Sequence, residues 1–425
     1  MNTKHTTPII IGKMIRQTSR LRGGSGSALP GLVVERMYPR FLEDMLKQLP
    51  DGVVIVTGTN GKTTTTKVIT GALELLGKKV LTNPSGSNFT RGIVSTVINN
   101  VSIVGKLEHD IAVLELDEAY AVQFIKRVKP RYVLALNVMR DQLDRFGEVD
   151  ATARLIQQVI ASATKSVVIN ADDPHLFAAA KTSNAPVFYY GVDVSLRAQF
   201  PTDDELLAKL DKKPIKQSNE LLVKLKAYSH NTPTFLVDKK AYVEPFQIQG
   251  GYNYQNIAGA FAIIKLIIPS ADNDEIIEAL AKVKPAFGRG EIIHHNGKHI
   301  QIILVKNPAG FRQALIAHDE KEDVFIAIND DYADGRDVSW LWDVDFSALK
   351  SHGVDMVSGT RAYDMALRLR YEEVPALHVI RNITSALDHY LANSKQPRLK
   401  IYATYTAMLA IRNYLIGNRD LGESS

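Results

Sequence analysis

The most informative absence in this 425-residue chain is that of cysteine, which does not occur in it. Disulfide bonds, zinc sites built from cysteine and a thiol nucleophile belonging to this chain are therefore excluded. Long apolar runs are also missing, since none approaches the roughly 20 residues of a membrane-spanning helix. The sequence predicts a cytoplasmic protein without a transmembrane segment, with peripheral association at the inner face of the membrane as a further option.

A strong excess of one charge is lacking too. The formal net charge is +5 and 45% of the residues are hydrophobic, which is typical of a globular protein with more than one core. The sequence has no basic run interleaved with aromatic residues, the pattern that binding of single-stranded nucleic acid requires, so we expect no nucleic-acid partner. The mild positive charge suits anionic ligands such as nucleotides, or a membrane surface.

Short apolar runs alternate with helical patterns in two separate stretches of the chain. The strand-like runs of the first stretch are residues 53–57, 111–116, 132–138 and 166–170. Those of the second stretch are residues 300–305, 323–328, 354–359, 377–380 and 399–404. The alternation predicts an α/β fold in which crossover helices join parallel strands. We expect a short N-terminal segment (1–49), a central domain (50–292) with an insertion at 200–248, and a C-terminal α/β domain (293–425).

A phosphate-binding loop is indicated by "DGVVIVTGTNGKTTTTK", residues 51–67. The usual pattern is G-x-x-x-x-G-K-[ST], but Val56 stands where its first glycine belongs, so the loop is two residues shorter at its front. The alternative is a chance match in a turn. However, the loop lies between a strand and a helix, which directs backbone N–H groups at a phosphate. We expect Lys62 to reach the β- and γ-phosphates and Thr63 to bind Mg²⁺. The predicted nucleotide-binding residues are Gly58, Thr59, Asn60, Gly61, Lys62, Thr63 and Thr64.

Several motifs resemble, in the same order, those of the Mur ligase superfamily, whose members join amino acids to carboxylates through acyl phosphates. They are "TGTNGKTTT" (57–65), "VLELDE" (113–118), "NADDP" (170–174), "GGYNYQNIAGA" (250–260) and "FGRGE" (287–291). The resemblance implies a P-loop Mur ligase central domain, a Rossmann-like C-terminal domain, and ATP with Mg²⁺ as cofactors. It also implies that Glu115 binds Mg²⁺ beside Thr63, and that Asn256 and Arg289 contact the nucleotide.

A narrower resemblance is to the MurT-like chains of this superfamily. It rests on "RDQLDRFGEVD" (140–150), "VKNPAGF" (305–311) and "DYADGRDVSWLWDVDF" (331–346). It implies ATP-dependent amidation of the α-carboxylate of D-glutamate in lipid II, at the membrane surface, during peptidoglycan biosynthesis. The ammonia would come from a partner subunit, a class I glutamine amidotransferase of the GatD type. In MurT-like chains the aspartate after "DGR", here Asp337, is proposed to orient the catalytic histidine of that partner.

Four further residues are weaker candidates for the site: Lys306, Arg361, Asp334 and Gln142. Lys306 could contact the acyl phosphate, and Asp334 is an alternative to Asp337. Arg361 could bind an anion or form a packing salt bridge. Gln142 stands where amino-acid-adding Mur ligases have a histidine. The zinc ribbon that MurT-like chains often carry needs four cysteines, so no structural zinc is expected here.

Two other functions stay open at the level of the sequence. One is an amino-acid-adding ligase of the Mur or folylpolyglutamate type, and the other is a nucleotide-binding scaffold for an amidotransferase. The "ADGRD" loop counts against the first, and the intact Lys62, Thr63 and Glu115 count against the second. We therefore assign catalysis to Lys62 and Glu115 on the phosphate side and to Asp337 on the ammonia side.

Overall fold

A computed structural model of the chain describes residues 3–21, 29–83, 90–140, 149–202, 205, 220–285, 289–316 and 321–417. Its backbone contacts separate two compact units. The first unit comprises residues 1–139 and 149–284, and the second comprises residues 140–148 and 285–425. We keep the functional division into residues 1–49, 50–292 and 293–425 as a proposal.

Parallel strands dominate the first unit. Its described strands are β1 (Gly52–Thr57), β2 (Val80–Thr82), β3 (Ile111–Glu115), β4 (Tyr132–Ala135), β5 (Ser166–Asn170), β6 (Val187–Val192), β7 (Leu221–Ser229), β8 (Thr232–Val237) and β9 (Lys240–Val243). Within the described residues they form a nine-stranded sheet in the order β2-β3-β1-β4-β5-β6-β7-β8-β9. The pairs from β2 to β7 are parallel, whereas β8 and β9 run antiparallel to their neighbours. The described part of the predicted insertion thus extends the sheet with β7, which is parallel to β6, and with the antiparallel strands β8 and β9.

Helices cover both faces of this sheet. The described helices are α1 (Thr3–Leu21), α2 (Leu29–Met37), α3 (Phe41–Leu46), α4 (Lys62–Leu75), α5 (Thr90–Asn100), α6 (Glu118–Ile125), α7 (Val149–Ala161), α8 (Pro174–Ala179), α9 (Gly251–Ile267) and α10 (Asn273–Lys282). Val54 and Val56 of β1 enter the core shared with α4, α9 and α10. Val53 and Ile55 enter the core on the other face, shared with α1 to α3 and α5 to α8. Because successive side chains point to opposite faces, a strand covered on both sides must be apolar throughout.

The long helix α1 is not indicated by the sequence patterns, which predict a Gly/Ser/Pro stretch and only a short helix before residue 50. Its threonines and Pro8 are poor helix formers, so tertiary packing must stabilise it. Ile9 is fully buried. A methyl group on Gly12 would lie 2.7 Å from Val34 Cγ2, so glycine at this position lets α1 approach α2 closely.

The second unit is built around a smaller sheet. Its described strands are β10 (Arg289–His295), β11 (Lys298–Leu304), β12 (Asp323–Ala327), β13 (Val354–Ser358), β14 (Ala376–Val379) and β15 (Arg398–Ala403). Within the described residues the order is β10-β11-β15-β12-β13-β14, and the pairs are parallel except for β10 with β11. The helices between them are α11 (Pro308–Ile316), α12 (Ala362–Tyr371) and α13 (Ile383–Asn393), and α14 (Tyr405–Ile416) follows the last strand. These elements confirm the predicted α/β class.

One strand of this sheet, β10, is absent from the sequence prediction, which places the first strand of the second stretch at residue 300. A two-residue turn at Asn296 and Gly297 joins β10 to β11, and both residues have positive φ angles, 48° and 76°. Asn-Gly is favoured in such turns because both positions require positive φ. In the described parts of the chain, no helix has the length and apolar character needed to cross a membrane.

Candidate functional site

Three neighbouring strands of the first unit place their carboxyl ends side by side. The strand β1 pairs with β3 on one side and with β4 on the other, all in parallel. The phosphate loop follows β1, Glu115 ends β3, and Asn137 lies two residues beyond β4. Since ligands of parallel α/β sheets bind at this edge, the topology brings the predicted residues to a position suited to chemistry.

Two glycines allow the loop between β1 and α4 to fold tightly. Gly58 has a φ of 133° and Gly61 a φ of 87°, both in the region that favours glycine. A Cβ atom on Gly58 would lie 3.0 Å from the backbone N and O of Asn137. A Cβ atom on Gly61 would lie 2.5 Å from Nδ2 of Asn256, a buried residue of α9. The predicted contact residue Asn256 therefore lies directly against the loop.

Asn137 holds the loop in this shape. The Asn60 backbone N–H donates to Asn137 Oδ1 at 2.8 Å, and Asn137 Nδ2 donates to the Asn60 carbonyl at 3.0 Å. The Thr59 N–H donates to the Asn137 carbonyl at 3.0 Å. Asn137 is absent from the predicted site residues, because the sequence prediction places it inside the strand 132–138, whereas β4 ends at Ala135. Its role depends on a contact across 77 positions, which the sequence pattern does not reveal.

Asp173 fixes the backbone next to Asn137. Its Oδ2 accepts the Val138 N–H at 2.7 Å, and its Oδ1 accepts the N–H groups of His175 and Leu176 at 2.9 and 3.0 Å. Burial raises the pKa of Asp173 to about 6, although these N–H donors act in the opposite direction. Asp173 thus links the first turn of α8 to the segment that shapes the phosphate loop.

Lys62, the first residue of α4, is only 6% exposed and lies in a ring of oxygen atoms. Its Nζ donates to the Gly58 carbonyl at 2.7 Å. It also lies 3.1 Å from Asp117 Oδ1 and 3.3 Å from Glu118 Oε1. These two carboxylates immediately follow β3 and are absent from the predicted site residues. A buried ammonium group needs such partners because an unpaired charge in this position would be strongly unfavourable.

The side chains of Thr63 and Glu115 are in contact, as the resemblance implies for two ligands of one Mg²⁺ ion. The Thr63 hydroxyl donates to Glu115 Oε1 at 2.7 Å. The backbone of Glu115 is fixed by Asn83, whose side chain accepts from the Glu115 N–H and donates to its carbonyl, both at 3.0 Å. A hydroxyl and a carboxylate are hard oxygen donors, and Mg²⁺ uses few protein ligands and keeps waters and phosphate oxygens. The two residues therefore fit Mg²⁺ as its protein ligands.

The remaining predicted residues of the phosphate and nucleotide site lie at other positions along the chain. Thr64 is buried in the first turn of α4. Arg289 begins β10, in the second unit, and only its backbone is described. Gln142 lies outside the described residues. Lys306 follows β11, two residues before α11 begins.

In the second unit, the two candidate aspartates of the acidic loop after β12, Asp334 and Asp337, have different surroundings. Asp334 is buried, its Oδ1 accepts the Thr406 N–H at 2.7 Å, and its Oδ2 accepts the Thr406 hydroxyl. It therefore caps the first turn of α14 and is engaged within the fold. Asp337 is half-buried, and its Oδ1 accepts the Ser339 N–H at 2.8 Å, which begins a short 3-10 helix, Ser339–Asp343. The geometry favours Asp337 over Asp334 as a group that can reach a partner.

The two tryptophans of this loop also differ. Trp340 is buried and its ring centroid lies 6.4 Å from that of Phe311. Trp342 is 49% exposed and packs edge-to-face on Tyr371, with ring centroids 5.2 Å apart. On α12, Tyr363, Leu367 and Tyr371 are all exposed and follow one another at intervals of four residues, which places them on one side of the helix. We call Trp342, Tyr363, Leu367 and Tyr371 the aromatic stripe.

Arg361, at the start of α12, forms an ion pair rather than pointing into an open site. Its Nε donates to Asp330 Oδ2 at 2.9 Å, and its Nη1 lies 3.5 Å from Asp364 Oδ2. The nearby Asp330 raises the pKa of Arg361 above its usual range. This contact matches the structural alternative considered for Arg361, a packing salt bridge.

Comparison with protein families matches both units. The Mur ligase middle domain family matches residues 56–264, and the MurT ligase C-terminal family matches residues 304–408. The chain is 33% identical to the subunit MurT of the lipid II isoglutaminyl synthase (glutamine-hydrolyzing) of Streptococcus pneumoniae, over 98% of both chains. It is 29% identical to the same subunit of Staphylococcus aureus, over 96% of this chain and 95% of that one.

Solved structures with a similar fold belong to ligases. A MurF ligase from Thermotoga maritima in complex with ADP aligns with a TM-score of 0.67 at 16% identity, over 91% of this chain and 83% of that chain. A folylpolyglutamate synthase of Mycobacterium tuberculosis, complexed with ADP and AMPPCP, aligns with a TM-score of 0.63 at 15% identity, over 90% of this chain and 95% of that one. These similarities confirm the fold class predicted from the sequence.

Proposed function

The chain belongs to the MurT family of lipid II isoglutaminyl synthase subunits, and on that premise we propose that it amidates lipid II during peptidoglycan synthesis. It is a carbon–nitrogen ligase of the Mur type that uses ATP. The observation that supports this most directly is the meeting of Thr63 and Glu115 next to the buried Lys62. The arrangement has the parts that phosphoryl transfer requires: a positioned cation, a pair of metal ligands and a loop of backbone N–H groups.

The proposed reaction has two steps. A carboxylate oxygen of D-glutamate in the stem peptide attacks the γ-phosphorus of ATP, and ADP leaves with the electron pair of the broken P–O bond. Ammonia then attacks the acyl carbon, and inorganic phosphate leaves with the original carboxylate oxygen. The product is the amide, D-isoglutamine. Lys62 neutralises the charge that develops on the transferred phosphoryl group, and Mg²⁺ held by Thr63 and Glu115 would shield the β- and γ-phosphates.

Ammonia comes from a partner subunit, which we propose to be a class I glutamine amidotransferase of the GatD type. This chain has no cysteine and so contains no thiol nucleophile for glutamine hydrolysis. A cysteine–histidine pair needs a third group that fixes the orientation of the imidazole. We assign this role to Asp337. Its Oδ1 accepts the Ser339 N–H, whereas its Oδ2 makes no hydrogen bond to any described residue.

The aromatic stripe is the surface that we propose the partner covers. Trp342 lies on the short helix that Asp337 caps, so the exposed end of the stripe is continuous with the proposed catalytic loop. Exposed tryptophan and tyrosine side chains are frequent energetic centres of protein interfaces. Four large side chains between 49% and 71% exposed would leave an unusually apolar face without a partner.

The test compares glutamine and ammonia as nitrogen sources in the complex with a candidate glutaminase. Asp337→Asn keeps an oxygen that can accept the Ser339 N–H, so the loop keeps its cap. We expect this variant to lose glutamine-dependent amidation by about 10²-fold or more and to keep ammonia-dependent amidation. The matched control is Asp345→Asn, since Asp345 caps the next short helix in the same way, accepting the Ser347 N–H at 2.8 Å.

Three results would contradict the proposal. If Asp337→Asn lost amidation equally with glutamine and with ammonia, Asp337 would belong to the ligase reaction or to folding. Binding of ATP without formation of ADP, when lipid II and glutamine are both supplied, would favour the scaffold function. Incorporation of an amino acid in place of ammonia would favour the amino-acid-adding ligase.

A further inference from the structure

The net positive charge of this protein is concentrated in its first helix, since α1 carries +4 whereas α2 carries no net charge. The helix α1 contains Lys4, Lys13, Arg16 and Arg20 and no acidic residue, and α2 contains Arg36 and Glu35. These 28 residues therefore carry a net charge of +4, whereas the whole chain has +5 (51 basic and 46 acidic residues). The other 397 residues contribute only +1. A charge so localised indicates an anionic partner for this part of the surface.

The single acidic residue of the two helices does not neutralise them. Glu35 is engaged by Arg127, whose Nη1 is bonded to Glu35 Oε1, and Arg91 Nε lies 3.8 Å from its other oxygen. Both arginines lie outside α1 and α2, so the carboxylate of Glu35 pairs with cations from other segments of the chain. Arg36 is exposed and Lys13 is partly exposed.

The same two helices expose large apolar side chains. Ile10 and Met14, one turn apart on α1, are 40% and 61% exposed, and Leu29 and Met37 on α2 are 53% and 46% exposed. The opposite side of α1 is packed, since Ile9 is buried and Gly12 lies against Val34. Basic groups flanking exposed apolar groups on a surface helix are the arrangement that binds the interface of a lipid bilayer. We call Ile10, Met14, Leu29, Met37, Lys13 and Arg36 the basic apolar face.

We propose that the basic apolar face docks this protein on an anionic phospholipid membrane. This rests on the proposed function, because the lipid II substrate resides in a membrane, whereas the side chains that define the face do not include any residue of the phosphate loop. The cations bind lipid phosphates, and the four apolar side chains enter the zone between head groups and acyl chains. Docking raises the concentration of the enzyme where its substrate is and restricts its orientation.

A lipid surface fits this face better than a folded partner does. Protein interfaces are depleted in lysine and enriched in aromatic residues at their centres, whereas this face has aliphatic side chains and no aromatic one among its defining residues. Each lysine or arginine near an anionic membrane contributes about 1 kcal/mol, which corresponds to about fivefold in binding.

The experiment is flotation of the full complex with vesicles. One set contains phosphatidylglycerol and phosphatidylcholine, and the other contains phosphatidylcholine alone. We expect binding to the first set that weakens as salt is raised, because the exposed charges are screened. The double variant Lys13→Gln/Arg36→Gln is expected to bind about 25-fold more weakly, and Met14→Gln to bind more weakly with the salt dependence unchanged.

Matched controls remove similar groups elsewhere in the first unit. Lys282→Gln/Lys240→Gln deletes the same number of charges from side chains that are 62% and 61% exposed on α10 and β9. Leu75→Gln replaces an apolar side chain of α4 that is 57% exposed and belongs to the other face of the sheet. Both controls should bind vesicles like the wild type. Far-ultraviolet circular dichroism and thermal melting show whether each variant is folded.

Amidation assays separate this inference from the proposed function. The double variant should be slower than the wild type on lipid II in anionic vesicles and equal to it on lipid II in detergent micelles. Wild-type protein that does not bind anionic vesicles, or variants that bind as well as the wild type, would overturn the docking surface. A dimer in sedimentation that the double variant abolishes, without vesicle binding, would assign the face to a second copy of the chain. Absence of amidation in both media would instead contradict the proposed function. The flotation result would then still decide whether the basic apolar face binds membranes.

Discussion

At the scale of single residues, the proposed phosphate site depends on the carboxylates that surround Lys62. Asp117 and Glu118 compensate the charge of Lys62 in the structure, and both lie at the start of α6. We propose that bound ATP presents its phosphates to Lys62, whose ammonium group then exchanges the carboxylate oxygens for phosphate oxygens. On this proposal, the two carboxylates hold the Lys62 side chain in place between turnovers.

Asp173 allows a residue-scale prediction because burial raises its pKa to about 6 from an ordinary 3.8. A carboxyl group whose pKa is higher in the folded state stabilises the fold fully below the unfolded pKa. This contribution is lost as pH rises through the folded pKa. The advantage of the wild type over Asp173→Asn in free energy of unfolding should therefore fall by about 3 kcal/mol between acidic and neutral pH.

Chemical denaturation of both proteins below pH 3.8 and above about pH 6 measures this change. The substitution also removes the bond from the Val138 N–H to Oδ2, but that loss of about 1–3 kcal/mol applies at both pH values and cancels from the change. An advantage that stays constant, or that grows with pH, would show that the backbone N–H donors outweigh burial at Asp173.

At the scale of secondary structure elements, the phosphate loop depends on the close contact between Gly61 and α9. Gly61→Ala introduces a left-handed alanine, which costs about 1 kcal/mol, and a methyl group 2.5 Å from Asn256 Nδ2. Because Asn256 is buried, it has little room to move away. We expect at least about a tenfold loss of nucleotide affinity, measured by titration calorimetry with a non-hydrolysable ATP analogue.

Gly77→Ala is the control for backbone strain alone. Gly77 has nearly the same φ, 86°, and a Cβ atom there would meet nothing within 4 Å among the described residues. The Gly77→Ala variant should lose the stability that a left-handed alanine costs, and it should bind nucleotide normally. Equal losses of affinity in both variants would mean that strain in α4, rather than the contact with Asn256, controls the loop.

The elements also show what the sequence could predict. The strands β1, β3 to β5 and β11 to β15 follow from short apolar runs, because a parallel strand buried on both faces has to be apolar. The strands β6 to β10 are not among the predicted runs. The pair of Thr63 and Glu115 was predicted as well, Thr63 from the loop motif and Glu115 from the family resemblance of "VLELDE". By contrast, α1 contains Pro8 and is stabilised by contacts with α2 and α5, so its local pattern is weak.

Residues that act through long-range contacts were missed for the same reason. Asn137 binds the loop across 77 positions, and Glu118 reaches Lys62 across 56. Asp334 and Asp337 look alike in the sequence, and only the Thr406 contact separates a structural cap from a more available carboxylate. Gln142 lies outside the described residues, and the side chain of Arg289 is not described, so both stay predictions.

At the scale of the whole molecule, the two units carry different parts of the proposed reaction. The first contains the phosphate loop with its proposed metal ligands, and it also contains the basic apolar face. The second contains Asp337 and the aromatic stripe, which concern the partner. This separation is the reason that we expect a variant in the second unit to lose glutamine as nitrogen source while the ligase still uses free ammonia.

The central claim is that the phosphate loop activates a carboxylate as an acyl phosphate that nitrogen then attacks. The most direct measurement uses lipid II whose D-glutamate α-carboxylate is labelled with oxygen-18, incubated with the complex, ATP and glutamine. Mass spectrometry of the products should find ADP and inorganic phosphate that carries one labelled oxygen for each amide formed. Amide formation with unlabelled phosphate, or with the label in AMP, would contradict the account.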